Sequence, residues 1–201
     1  IKRFPRFDRK TFDPKKHNGF VEKLIQSFTY LSKEYYVGIN CKCCVGEKDY
    51  QWQFDEFLKE YHDNLTWSNV LLNSNYPLFL EEFYPVIIER GANIICNINA
   101  GLSKLNWVKK DFRIGNNDFS NLSPIEDIRT HIKKNKIKDE IFLFSASAFS
   151  NIAQYELAKS HPDNTYIDIG TALSDKFNIP ADREYIKNFK NGDFNKLKKC
   201  I

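Results

Sequence analysis

A carboxylate closes the apolar run Thr165-Tyr166-Ile167-Asp168-Ile169-Gly170, and a carboxylate in that position suits several kinds of chemistry. Asp168 could take a ribose hydroxyl, orient a lysine or serve as general base. Its bland role is to cap the following turn through the Gly170 and Thr171 amides. A second candidate is Phe144-Ser145-Ala146-Ser147-Ala148-Phe149-Ser150-Asn151, where an apolar run passes through small residues into a helical pattern. Backbone N–H groups in such a turn can face a phosphate or carboxylate, although small residues also serve tight helix–sheet packing. Neither G-x-G-x-x-G nor G-x-x-x-x-G-K-[ST] occurs, so dinucleotide binding of the usual type and P-loop hydrolysis both lose ground.

Arg113 lies in Lys109-Lys110-Asp111-Phe112-Arg113-Ile114-Gly115 and is one of seven Arg against 23 Lys. A planar guanidinium in an apolar setting suits bidentate pairing with phosphate, and a salt bridge to Asp111 or Asp118 is the equal alternative. Glu47 and Asp49 form an E-x-D pair that could hold Mg²⁺ or Mn²⁺ against a diphosphate; two solvated loop carboxylates are the commoner outcome. D-x-D is absent, as is G-x-S-x-G, and His17, His62, His131 and His161 stand singly in the sequence.

Five cysteines occur, at 41, 43, 44, 96 and 200. An odd number with three packed together does not read as a secreted disulfide framework. Cys41 and Cys44 have C-x-x-C spacing, but a structural zinc site asks for a second pair that the chain lacks. The expectation is therefore thiols packed near a buried loop in a reducing compartment.

The elements that must position these residues follow from periodicity. Helical spacing runs over Asn18–Lys33, Tyr50–Tyr61 and from Pro77 to Arg90, where Gly91 stops it. Ser123-Pro124-Ile125-Glu126 reads as a capping box opening a helix to Asn135, and a further helix follows SASAFSN to about Ser160. Short apolar strands are expected at Tyr35–Ile39, Val70–Leu72, Asn93–Ile98, Ile141–Phe144 and Tyr166–Ile169, with another near Lys109–Ile114. Alternation of this kind predicts an α/β fold: a single Rossmann-like domain with a mainly parallel sheet and helices on both faces. Its limits are 18–190, between a basic N-terminal extension (1–17) and a basic C-terminal tail (191–201). Ligands in such sheets bind at the carboxyl ends of the strands. That rule selects Gly38, Asn40, Asn73, Asn97, Asn99, Ser145, Ser147, Asp168, Gly170 and Thr171, all small or polar beyond apolar strands; Asn151 and Arg113 join them.

Length and composition set the outer bounds. The chain has 201 residues, 42% of them apolar, with 17 Phe, 10 Tyr and 3 Trp, which suffices for a real core and argues against disorder. No apolar stretch reaches the about 18–20 residues of a membrane span, and no secretory signal opens the chain. A net charge of +4, with basic clusters at Lys2–Lys16, Lys133–Lys138 and Lys196–Lys199, reads as solvated surface compatible with phosphates rather than as a nucleic-acid stripe. With the thiols expected in a reducing compartment, the expected location is the cytoplasm, or the host cytoplasm for a viral chain. Abundant Asn and Lys suggest an AT-rich genome. Met is absent even at position 1, from which the expectation is a domain cut from a longer chain, with further domains.

In order, the segments YYVGINCKCC, LTWSNVLLNSNYPLFLEEF, IICNINA, KKDFRIG, IFLFSASAFSNIAQYEL and NTYIDIGTALSDKF resemble bacterial and viral polysaccharide-biosynthesis proteins of the GT-D glycosyltransferase type. The likeness spans about Tyr35 to Tyr185. It implies a Rossmann-like enzyme moving a sugar from a UDP-, dTDP- or GDP-linked donor to a glycan acceptor. The nucleotide would lie near Ser145–Asn151 and Asp168-Ile169-Gly170, with Mn²⁺ or Mg²⁺ as the cation. One departure stands out: the pattern's acidic D-x-E after the first strand is replaced by Gly38-Ile39-Asn40-Cys41-Lys42-Cys43. The alternative that this departure favours is a non-catalytic glycan- or partner-binding module of a larger surface-glycan enzyme.

Overall fold

The structure, a computed structural model, describes residues 17–58, 63–115 and 121–199. Most of the N-terminal extension, Asp118, His62, Cys200 and the end of the helix expected to reach Tyr61 lie outside them. In chain order the elements are α1 (Asn18–Thr29), β1 (Val37–Ile39), α2 (Lys42–Val45), α3 (Glu47–Gln53), β2 (Leu65–Trp67), α4 (Tyr76–Leu78), α5 (Tyr84–Arg90), β3 (Ala92–Asn97), β4 (Val108–Ile114), α6 (Ser123–Asn135), β5 (Ile141–Ser145), α7 (Ala148–Ser160), β6 (Thr165–Asp168) and α8 (Glu184–Lys190). Wider π-type turns continue α3 over Phe54–Leu58 and join α4 to α5 over Phe79–Phe83. The expected class is observed: a mixed α/β fold whose strands all pair in parallel and are flanked by helices.

The chain forms two compact units. One takes Gly91–Ala100 and Val108–Gly170 together with the chain up to Ser27; the other takes Phe28–Arg90, Gly101–Trp107 and the chain from Thr171 onward. The first unit holds a four-stranded sheet in the order β4-β3-β5-β6. β3 and β5 are buried at every residue but the last, which is why Ile94–Cys96 and Ile141–Phe144 read as apolar runs. Phe142, Leu143, Phe144, Ile94 and Ile95 from the strands are fully buried, as are Ile128 of α6 and Phe149, Ile152 and Leu157 of α7. α6 packs on β4 and α7 on β6. Ser123 does not cap α6, contrary to the capping-box reading. Leu122 occupies the cap position without a side-chain bond. The Asn121 side-chain oxygen accepts the Ser123 N–H at 3.0 Å instead, a shorter reach for the same orphan donor.

The second unit holds the two-stranded sheet of β1 and β2, in register Val37↔Leu65 to Ile39↔Trp67. The strand expected at Val70–Leu72 is a turn, and the paired segment lies five residues earlier. Asn64 explains the shift: its amide nitrogen donates to the carbonyls of Ser32 and Lys33 at 2.6 and 2.9 Å, fixing where the chain turns alongside β1. Gly38 is needed by this pairing, since a Cβ there would stand 3.0 Å from the Ser68 Cα. Tyr76 forms the aromatic centre of the unit, with ring centroids 5.0 Å from Tyr185 and 5.1 Å from Phe189.

In the first unit Glu156 of α7 accepts hydrogen bonds from both Lys23 of α1 and Arg129 of α6, the latter at 2.6 Å. Burial alone would raise the Glu156 carboxyl, but the two cations hold it below its ordinary value of 4.5. A depressed folded pKa means stability present above that value and lost as pH falls through the lower one. We expect Glu156→Gln to cost about 1–3 kcal/mol at neutral pH in denaturant unfolding, and the gap to close as pH drops well below 4.5.

Candidate functional site

Carboxyl ends of parallel strands bind ligands where neighbouring strands send the chain in opposite directions. In the four-stranded sheet that point falls between β3 and β5. From β3 the chain goes to β4 on one side, and from β5 it goes to β6 on the other. Registers Cys96↔Arg113, Cys96↔Ser145 and Phe144↔Asp168 bring these positions to one level along the sheet edge. Of the residues selected from sequence, this edge therefore gathers Asn97, Asn99, Arg113, Ser145, Ser147, Asp168 and Gly170, with Asn151 in the first turn of α7. Gly38, Asn40, Asn73, Thr171, Glu47 and Asp49 belong to the other unit.

Several members of the edge have defined local roles. The Asn97 side chain accepts the Asn99 N–H at 2.9 Å and turns the chain out of β3. Arg113 pairs with Asp111 at 2.5 Å and donates to the Ala100 carbonyl at 2.5 Å and the Asn97 carbonyl at 3.5 Å. Asp111 and Arg113 are two apart on a strand and so share a face, and the salt-bridge alternative is what forms. The guanidinium thus ties down the loop after β3. Cys96 beside it is fully buried, and burial pushes its thiol to about 11, so it is a neutral core group.

At the β5 end, Ser145 Oγ donates to the Gly170 carbonyl at 2.7 Å, joining two strand ends. Ser147 adopts φ 56 and ψ −144, a conformation that costs an L-residue about 1–3 kcal/mol. The Ala146 N–H is met by Ser150 Oγ at 3.1 Å. The small residues of this segment therefore serve a strained turn as well as packing.

Asp168 accepts the Gly170 N–H at 2.9 Å, with Gly170 at φ +49. This is the turn-capping role anticipated for it, through Gly170. The residue is exposed by area, yet protein atoms crowd the carboxyl enough to raise it from 3.8 to about 6. A carboxyl hemmed in on several sides and still reached by water satisfies both observations. Desolvation sets the direction, and the Gly170 hydrogen bond opposes it.

In the other unit, Asn40 is engaged by its neighbours: Ser68 Oγ donates to its side-chain oxygen at 3.0 Å, and Gln53 bonds its backbone N–H and carbonyl at 2.8 and 3.1 Å. Thr171 Oγ1 lies 2.8 Å from the Tyr185 hydroxyl. Glu47 pairs with Lys42 at 3.0 Å in the first turn of α3, beside Asp49. Neither carboxylate joins a convergent set of three potential metal ligands among the described residues, so the pair is a poor fit to a preformed Mg²⁺ or Mn²⁺ site. A convergent set that does exist among the described residues is Cys41, Cys43 and Cys44, three cysteines whose spacing alone lacked the second pair expected of a zinc site.

No family model matches the chain, and no curated protein matches it in sequence. A solved domain described as a domain of unknown function, DUF1792, is similar in fold, with TM-score 0.51, 13% identity and coverage of 94% of this chain and 71% of that one. That likeness concerns the fold. No helix among the described residues is long and apolar enough to cross a membrane.

A raised carboxyl has a testable sign. Ionising Asp168 costs the fold stability as pH rises from about 4 to about 6, by an amount that solvent screening keeps small. Asp168→Asn keeps an oxygen for the Gly170 N–H and carries no charge. In parallel unfolding curves the variant should match wild type near pH 4 and exceed it at pH 7. A wild type that gains on the variant over this range would contradict the raised value.

Proposed function

We propose that the chain moves a sugar from a nucleotide-sugar donor to a glycan acceptor. The observation that carries the reading is geometric: the Asp168 carboxylate stands on the same sheet edge as the Ser145–Ser147 turn, at the reversal of strand order, and crowding by protein atoms pushes its pKa upward. The motif order that resembles GT-D-type glycosyltransferases and the fold likeness to the DUF1792 domain support it.

In an inverting transfer, Asp168 takes the proton of the acceptor hydroxyl while its oxygen attacks the anomeric carbon. The bond from that carbon to the diphosphate breaks, and main-chain N–H groups at the start of α7 meet the departing charge. A pKa near 6 keeps Asp168 ionised at neutral pH yet basic enough to accept the proton. Arg113 is a positioning residue in this scheme, holding the Asn97–Ala100 loop through carbonyl bonds. No step runs through a divalent cation.

One observation favours a second reading, a non-catalytic glycan- or partner-binding module: the residues after β1 carry no D-x-E, and Asn40 there is taken up by Ser68 and Gln53.

Thermal unfolding with UDP-, dTDP- and GDP-sugars, with and without Mn²⁺, separates the two. A bound donor at a hundredfold its Kd should stabilise by about 2.7 kcal/mol, a Tm rise of roughly 5–10 °C for a chain of this length. Asp168→Asn should keep that rise and lose transfer by about a hundredfold or more. No rise with any nucleotide sugar would overturn the transferase reading, and stabilisation by glycan alone would select the binding module.

A further inference from the structure

Cys41, Cys43 and Cys44 bring three sulfurs to within 4.8 Å of one another. The local chain explains the convergence. Cys41 precedes α2 in an extended conformation (φ −74, ψ 156), and its carbonyl accepts the N–H groups of Cys44 and Val45 at 3.0 and 3.2 Å. One tight turn therefore folds the C-x-C-C sequence back on its first cysteine. Cys41 Sγ and Cys43 Sγ are 2.9 Å apart, beyond the about 2.05 Å of a disulfide. Three thiolates around a tetrahedral ion at about 2.3 Å would be spaced by about 3.8 Å, so the Cys41 and Cys43 sulfurs part by roughly 1 Å on binding while all three stay within the 4.8 Å limit.

The surroundings suit thiolates. Asn69, on the turn after β2, points its amide nitrogen at Cys44 Sγ (3.5 Å) and Cys41 Sγ (3.8 Å), the N–H···S arrangement that steadies sulfur ligands. Cys41 is fully buried, while Cys43 and Cys44 are exposed, so the cluster is anchored on one side and open to an entering ion on the other. Cys43 also donates to the Lys199 carbonyl at 3.8 Å. In the sequence Cys200 follows, outside the described residues.

We propose that Cys41, Cys43 and Cys44 form a zinc site of three thiolates, its remaining position taken by water or a further side chain. Each thiol gives up its proton to solvent as its sulfur bonds the ion, and the Cys43 bond to Lys199 is exchanged for the metal bond. Soft sulfur ligands in a near-tetrahedral set select Zn²⁺ over Mg²⁺ or Mn²⁺. The assignment rests on the sulfur geometry and not on the proposed sugar transfer.

The test is titration of the reduced chain with Zn²⁺ against a chromophoric chelator, with Co²⁺ as spectroscopic reporter. One Zn²⁺ per chain is expected, and a cobalt form showing thiolate-to-metal charge transfer with tetrahedral d–d bands. Cys43→Ser and Cys44→Ser alter exposed positions and should each weaken zinc at least about tenfold while circular dichroism stays that of wild type. Zinc affinity equal in wild type and both variants, a cobalt spectrum without thiolate charge transfer, or no ion retained against the chelator would each overturn the assignment.

Discussion

β3 and β5 run side by side with almost no solvent on either face, and the chain leaves them in opposite directions. Everything proposed for the first unit depends on that pairing. Burial on both faces favours apolar strands, broken in β3 by Asn93, whose amide nitrogen donates to Glu140, so polar groups gather mainly where the strands stop. Because the strands are parallel, they stop on the same edge. Asn97, Ser145 and Asp168 are thus neighbours through backbone register, although 71 residues of sequence separate the first from the last.

The same constraint decides which charges are available. Arg113 reaches the edge but spends its guanidinium on Asp111 and two carbonyls of the loop after β3. Arg129 and Lys23 are committed to Glu156 and hold helices together. Asp168 differs: exposed by area, it accepts one backbone N–H while crowding by protein atoms opposes its charge and raises its pKa above the ordinary carboxylate value.

Much of the fold was legible because the strong strands are local in their signal. IFLF and IIC are apolar runs bounded by small or polar residues, and β5 and β3 lie within a residue or so of where periodicity puts them; α7 ends at Ser160 as expected but begins at Ala148, inside the small-residue segment. β2 was not legible. Leu65-Thr66-Trp67 is three half-exposed residues, less apolar than the Val70–Leu72 turn beside it, and only pairing with β1 and the Asn64 bonds make it a strand. The strand-end residues were readable as a set but not in their division between two sheets, since pairings such as Val37↔Leu65 and Ala92↔Ile141 are long-range. Asp111 and Arg113 were readable as partners from their spacing. The thiol cluster was half legible: C-x-C-C is visible, but the turn at Cys41 and the arrival of Asn69 are products of folding.

The most direct measurement is a crystal structure of the chain with UDP bound. The diphosphate should lie at the carboxyl ends of β3 and β5, within hydrogen-bond reach of the Ser147–Phe149 main-chain amides, with Asp168 on the same edge. A diphosphate held instead at the Gly38–Asn40 end of β1, with the β5–α7 turn empty, would contradict the assignment of the site.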